Sequence, residues 1–222
     1  MLKTKYKNDY KIYSDLTKFA NENPLGKILK PWLKDFYHEL KRYLPYPRDF
    51  LLHKVLKGGV CLEIGVYDGV FSERILRITR PTQLVLVDPW AAENNTGSKV
   101  DPQSAHDARY AHVLSAFAEE RTSGVVKIIR STSDEALESL KTQQFDFVYI
   151  DGDHSYEQVL KDLRNYFPLV RSGGLLAGDD YHYDSVRKAV DEFVAAHGLT
   201  CETRDEQFMI LIPTTKKPSR SF

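Results

Sequence analysis

The sequence predicts an α/β fold: a doubly wound sheet, mostly parallel, with an antiparallel terminal strand and helices on both faces. Three observations carry this. Short apolar runs alternate with amphipathic runs from residue 60 to residue 197, the pattern of strands and crossover helices. Two of those runs, Phe145–Ile150 and Leu175–Ala177, flank a stretch with apolar residues at Tyr156, Val159, Leu160, Leu163 and Phe167, a helical period that joins two parallel strands by a right-handed crossover. A glycine turn, Gly65 to Gly69, joins the first apolar run to the next amphipathic one.

Each element follows in order. Residues 1–57 hold 13 Lys/Arg against 6 Asp/Glu and are expected to form a helical arm or lid. Its helices are expected near 9–20, at 31–44 with Pro31 at its start, and at 50–56. Residues 58–213 are expected to be the main domain. Its strands are read at 60–62, 83–87, 125–129, 145–150 and 175–177, with a terminal pair at 200–204 and 207–212. The helices between them are read as running from the glycine turn to 78, then at 108–118, 133–140, 156–167 and 186–196. A Ser or Asp cap should open the third of these, and Gly198 should stop the last. Residues 89–105 read as a long polar loop, a length that often carries function. Residues 214–222 are expected to be a disordered tail.

The totals exclude several classes. Lys plus Arg equals Asp plus Glu at 31 each, and the pI is about 7.1, so nucleic acid is not expected as a partner. The 2 cysteines, Cys61 and Cys201, have neither metal spacing nor a disulfide framework. No apolar run approaches membrane-spanning length, and no signal peptide is read, so a cytoplasmic protein is expected. The apolar face of 31–44 leaves a homodimer open.

Four carboxylates gather where the two central strands end: Asp151 and Asp153 after the first, Asp179 and Asp180 after the second. Ligands of open α/β sheets bind outside those strand ends. The glycine turn narrows the ligand. A dinucleotide fold needs a middle glycine so that backbone can approach a pyrophosphate, and Tyr67 stands there instead. Glu63 just before the turn disfavours phosphate and suits an ammonium or sulfonium charge. Asp88, roughly 20 residues further on, suits ribose hydroxyls. These residues together describe a nucleoside with a cationic amino-acid end and no phosphates.

That description is S-adenosylmethionine, and the chain resembles the class I methyltransferases that use it, a Rossmann-like family. Glu63 to Gly69 resembles their first motif, Val87-Asp88-Pro89-Trp90 the second, and Arg130-Ser131-Thr132-Ser133-Asp134 the third. Phe145–Glu157 and Gly173–Tyr181 are similar to a group of small enzymes that includes catechol and macrolide- or aminocoumarin-sugar O-methyltransferases. The resemblance implies a cofactor site of Glu63, Gly65, Tyr67, Gly69, Ser72, Asp88, Thr132, Ser133, Asp134 and Asp151. It implies metal ligands Asp151, Asp179 and Asp180, holding Mg²⁺ or else Mn²⁺ or Ca²⁺. It leaves three candidates for the base: Asp153, His154 and His182. The expected activity is a metal-assisted O-methyl transfer to a small-molecule or sugar-like acceptor. A metal-independent N- or O-methyltransferase and a non-catalytic nucleoside-binding module are the alternatives, and Tyr67 and Glu63 disfavour a nicotinamide oxidoreductase. Tyr46, Trp90, Tyr110, Tyr181 and Tyr183 are read as candidates for an acceptor pocket.

Overall fold

The computed structural model describes residue 46, residues 48–92 and residues 101–214. The chain divides into two compact units, Met1–Tyr46 and Pro47–Phe222. The helices expected at 9–20 and 31–44, residues 93–100 of the 89–105 loop and the tail after 214 lie outside the described residues.

In the second unit, the described elements run α1 (Asp49–Leu52), β1 (Val60–Ile64), α2 (Val70–Thr79), β2 (Gln83–Asp88), α3 (Gln103–Ala116), α4 (Ala118–Thr122), β3 (Val126–Arg130), α5 (Ser133–Leu140), β4 (Phe145–Ile150), α6 (Tyr156–Tyr166), a single 3-10 turn (Phe167–Leu169), β5 (Val170–Gly178), α7 (Asp184–His197), β6 (Cys201–Arg204) and β7 (Gln207–Leu211). The seven strands form one sheet in the order β3-β2-β1-β4-β5-β7-β6. The first five pair in parallel, β7 runs antiparallel to β5, and β6 runs antiparallel to β7. The order reverses between β1 and β4, the switch point where such sheets bind ligands.

Strand residues alternate between the two faces, and the core follows that alternation. Leu62 and Ile64 of β1 and Val85 and Val87 of β2 pack with Ala136 and Leu140 of α5, Leu163 and Tyr166 of α6, and Val190 and Phe193 of α7. Tyr149 of β4 points to the other face and meets Phe71 of α2, with ring centroids 4.5 Å apart. On that side Arg74 of α2 is ion-paired with Asp49 of α1, which ties the short first helix down.

Several elements depart from the expected bounds. β5 begins at Val170 rather than near 175 and includes Arg171-Ser172-Gly173-Gly174, across a register shift opposite Phe145 and Phe147. α3 begins at Gln103, directly after Pro102, five residues before the expectation at 108. It breaks at Phe117, whose buried ring anchors the chain at φ −108°, and resumes as α4, which the sequence did not suggest. α5 is capped by Thr132, not by a residue inside the helix; the Thr132 hydroxyl accepts from the Glu135 backbone N–H while the Glu135 carboxylate accepts from the Thr132 N–H. This reciprocal pair satisfies two otherwise orphaned donors. The antiparallel edge contains two strands, and Gly198 ends α7 at φ 60° as expected.

Candidate active site

The sheet register builds the site. Ile64 pairs with Val87 on one side and with Ile150 on the other, and Ile150 pairs with Gly178. The next residue on each strand therefore falls in one row across the carboxyl edge: Asp88, Gly65, Asp151 and Asp179. Gly65 is required there. It has φ 85°, and a Cβ on it would lie 1.9 Å from the Asp151 carbonyl oxygen. The first turn and the end of β4 approach so closely that any side chain would separate them.

On the β1–β2 side, Asp88 organises the glycine turn. One of its oxygens accepts from the backbone N–H groups of Val66 (2.8 Å) and Tyr67 (2.9 Å), and the other from Trp90 N–H (2.6 Å). Lone pairs remain on the half-buried carboxylate for ribose hydroxyls. Tyr67 is exposed at φ 55°, and the Arg109 guanidinium lies 4.2 Å over its ring. Trp90, read from sequence as an acceptor-pocket candidate, is buried instead and donates its indole N–H to the Tyr67 carbonyl at 2.8 Å. It clamps the turn.

Glu63 does not stand at the rim. It is 1% exposed and accepts a 2.5 Å hydrogen bond from the Ser72 hydroxyl. Ser72, expected among the cofactor residues, is fully buried and acts on the site through Glu63. Burial pushes the Glu63 carboxyl up from 4.5 to about 8, against the lowering effects of Ser72 and Arg48. Desolvation disfavours the charged form, so near neutral pH this glutamate is largely protonated until a cation arrives.

At the third motif, Thr132 caps α5 and Ser133 accepts from the Gln158 amide at 3.2 Å. Asp134 pairs with Lys161 through one oxygen at 2.7 Å. Its other oxygen, Oδ1, is buried and has no donor among the described residues. An orphaned acceptor of this kind fits an amino-group donor such as the exocyclic amine of adenine.

The carboxylates after β4 and β5 do not form the expected three-acid cluster. Arg48, just before α1, donates to Asp151 at 2.6 Å and also to Asp179. Asp179 is buried, and its second oxygen accepts from Gln207, whose own carbonyl accepts from the Tyr149 hydroxyl at 2.6 Å. Both oxygens of Asp179 are thus engaged. Asp180 diverges from it at φ 61°, a left-handed conformation that aspartate tolerates better than most residues. One Asp180 oxygen lies 2.9 Å from His154 Nε2, and the other 3.7 Å from His182 Nδ1. The donor atoms that do converge belong to Asp151, His154 and Asp180, all within 4.8 Å of one another. Burial raises the Asp151 pKa, with Arg48 opposing.

The three base candidates separate. His154 is half exposed, bonded to Asp180, and stands 5.7 Å from the Tyr183 ring. His182 is farther from Asp180 and stacks on Tyr183 at 4.1 Å. Asp153 is exposed and accepts from the Ser155 N–H at 2.5 Å, bracing the entrance to α6. Tyr181 donates to Asp191 on α7, away from the acid pair. Sequence reasoning missed Arg48 and Gln207. Arg48 is 103 residues from Asp151, and no local pattern connects them. Asp162, also missed, lies 1% exposed under the third motif; burial lifts its pKa to about 6.

Comparison with known proteins places the chain in a family and a fold class. A protein-family model described as a methyltransferase domain matches residues 62–181, the stretch from β1 to just past the acid pair. An uncharacterised mimivirus protein is 26% identical over 145 residues, which span 60% of this chain and 58% of that protein. Among solved structures, a TDP-rhamnose 3'-O-methyltransferase of calicheamicin biosynthesis shares 14% identity at a TM-score of 0.58, covering 89% of this chain and 91% of its own. An O-methyltransferase of tomaymycin synthesis from Streptomyces achromogenes, solved with S-adenosylmethionine, shares 18% identity at 0.54, covering 77% and 81%. A precorrin methyltransferase from Geobacter metallireducens shares 17% at 0.55, covering 73% and 84%. At these identities the likeness to solved structures concerns the fold.

Proposed function

The chain belongs to the methyltransferase-domain family of S-adenosylmethionine-dependent enzymes, and we propose that it methylates a hydroxyl oxygen of a small or sugar-like acceptor. The observation that carries this reading is the single row of Asp88, Gly65, Asp151 and Asp179 across the switch point. S-adenosylmethionine supplies an electrophilic methyl on a positive sulfur. Asp134 Oδ1 would accept from the adenine amino group, Asp88 would hold the ribose, and Glu63 and Asp151 would compensate the cationic amino-acid end.

His154 is the base in this reading. Asp180, at 2.9 Å, holds its imidazole and stabilises the imidazolium that forms. The acceptor oxygen attacks the methyl carbon, the carbon–sulfur bond breaks with its electron pair on sulfur, and the acceptor proton passes to His154. A positioned base contributes roughly 10²–10⁴-fold. The sugar and natural-product O-methyltransferases among the structural relatives support oxygen as the target.

A second reading is favoured by the convergence of Asp151, His154 and Asp180. These three side chains would hold a divalent ion, which would supply positive charge to a developing alkoxide. His154 would then be a ligand, and Asp153 or His182 the base. No helix among the described residues is long and apolar enough to cross a membrane.

The test pairs binding with turnover. Calorimetry should detect S-adenosylhomocysteine and not NAD, and Asp134→Ala should weaken the nucleoside by roughly tenfold or more, the cost of one hydrogen bond to a charged group. Turnover against a panel of nucleotide sugars and catechols, read as S-adenosylhomocysteine formed, identifies the acceptor class. Binding of NAD without S-adenosylhomocysteine defeats the proposal. Loss of turnover in chelator, restored by Mg²⁺, selects the second reading.

A further inference from the structure

The side chain that fills the gap between Asp151 and Asp179 is a cation that belongs to the chain itself. Arg48 donates one amino group to Asp151 at 2.6 Å and the other to Asp179. Its guanidinium also lies 5.4 Å from the Phe71 ring centroid and 5.7 Å from that of Tyr149, within reach of cation–π attraction. Two carboxylates, at the ends of adjacent strands, and two aromatic faces thus surround one planar charge. The approach is fixed from behind as well: the next residue, Asp49, is ion-paired with Arg74 of α2. On the far side, Tyr149 donates to Gln207 and Gln207 donates to Asp179, so Asp179 is oriented toward the guanidinium and away from His154.

We propose that Arg48 is the permanent counter-cation of this edge, seated between the ends of β4 and β5, and that it excludes a divalent ion from Asp151 and Asp179. A forked guanidinium satisfies two carboxylates at fixed geometry, as a bridging ion would, and it cannot lose its charge at accessible pH. Its positive charge repels an incoming dication, and its hydrogen bonds occupy the oxygens that would ligate one. Arg48 is accordingly a positioning residue. It sets Asp151 for the cofactor's cationic end and leaves Asp180 free to orient His154. The proposal rests on the methyltransferase reading for its functional consequence, namely turnover that is indifferent to chelator.

The experiment is Mn²⁺ titration of the full chain, followed by electron paramagnetic resonance, with thermal midpoints taken on the same samples. Wild-type protein should bind Mn²⁺ only weakly, and its midpoint should not respond to Mn²⁺ or chelator. Arg48→Gln leaves two carboxylates facing each other without a cation. It should bind Mn²⁺ at least tenfold more tightly, and its lowered midpoint should be restored by Mn²⁺ but not by Na⁺ at equal ionic strength. Arg48→Lys keeps the charge and loses the fork, and should stay close to wild type in Mn²⁺ affinity. Equal Mn²⁺ affinity in wild type and Arg48→Gln overturns the proposal. If Arg48→Gln does not fold, the wild type alone decides. One-to-one Mn²⁺ binding tighter than about 100 µM, roughly 5 kcal/mol, that Asp179→Asn abolishes overturns it, and weak binding unaffected by Asp179→Asn upholds it. S-adenosylhomocysteine binding in the same samples keeps the two readings apart, because its failure counts against the methyltransferase and not against the role of Arg48.

Discussion

Cofactor binding should release a proton, and Glu63 should be its source. In the empty protein, burial raises this carboxyl to about 8. At pH 7 it is then mostly protonated, and ionising it costs on the order of 1 kcal/mol. A ligand that brings an ammonium or sulfonium charge beside it favours the carboxylate. Binding at pH 7 should therefore release close to one proton, and affinity should fall about tenfold for each pH unit below 8 while levelling off above. The same shift acts on folding with a definite sign. The folded state keeps the group neutral up to about pH 8 while the unfolded chain ionises it near 4.5. Stability is thus fully present below 4.5 and declines as pH rises through 8, by a contribution on the order of 5 kcal/mol in the empty protein. Asp151 is shifted in the same direction, so a variant is needed to isolate Glu63. The assay is calorimetry of S-adenosylhomocysteine at pH 7 in phosphate and in Tris, whose ionisation enthalpies differ; the difference in heat counts protons. Glu63→Gln should remove most of the release. Equal heats in the two buffers, affinity flat between pH 6 and 8, and an unchanged Glu63→Gln would refute the reasoning.

Other predictions follow from single contacts. Gly65→Ala sets a methyl 1.9 Å from the Asp151 carbonyl at a positive φ, so it should abolish cofactor binding or folding, read by calorimetry and by circular dichroism. His154→Ala should lower kcat roughly 10²–10⁴-fold with little change in cofactor Kd, whereas Asp153→Asn should cost far less and act on stability through the start of α6. Trp90→Phe removes the indole donor to the Tyr67 carbonyl and should weaken the cofactor, with a stability loss of about 1–3 kcal/mol from the unsatisfied carbonyl, measured by urea unfolding. Phe147→Ala, at a fully buried strand position, should cost about 3–5 kcal/mol and leave cofactor contacts untouched.

Local patterning made the fold legible. Runs such as Phe145–Ile150 and the amphipathic period of α6 depend on neighbours in sequence, and the parallel order follows from alternation and handedness. The placements that depend on register were legible too: Gly65, Asp151 and Asp179 are each the first residue past a strand and Asp88 is the last of its own, so aligning the strands aligns them. What local pattern cannot express is which long side chain reaches across. Arg48 contributes from a segment without a motif, and Gln207 from an antiparallel strand, β7, whose role in the site comes only from its pairing beside β5. Asp179 and Asp180, adjacent in sequence, looked like one pair of ligands. The left-handed backbone at Asp180 sends them to different partners, and two adjacent letters do not reveal that. The α3 break at Phe117 was hidden for a related reason: it is set by a tertiary anchor, not by a glycine or proline.

These differences change the reason for which, in the proposed reading, a diphosphate would be rejected. From the letters alone, Glu63 and the acidic strand ends would repel one by charge. In the fold, Glu63 is largely neutral near pH 7, and Arg48 compensates Asp151 and Asp179. Much of the expected negative charge is thereby cancelled before any ligand binds. In that reading exclusion would fall to shape, and Tyr67 would supply it. It sits at the middle of the turn in a left-handed conformation, clamped by Trp90 and covered by Arg109, where a dinucleotide fold leaves bare backbone. In the proposed reading, selectivity for a cationic nucleoside has two separable parts: Tyr67 would deny a pyrophosphate its approach, and Glu63 would admit the cation by giving up a proton.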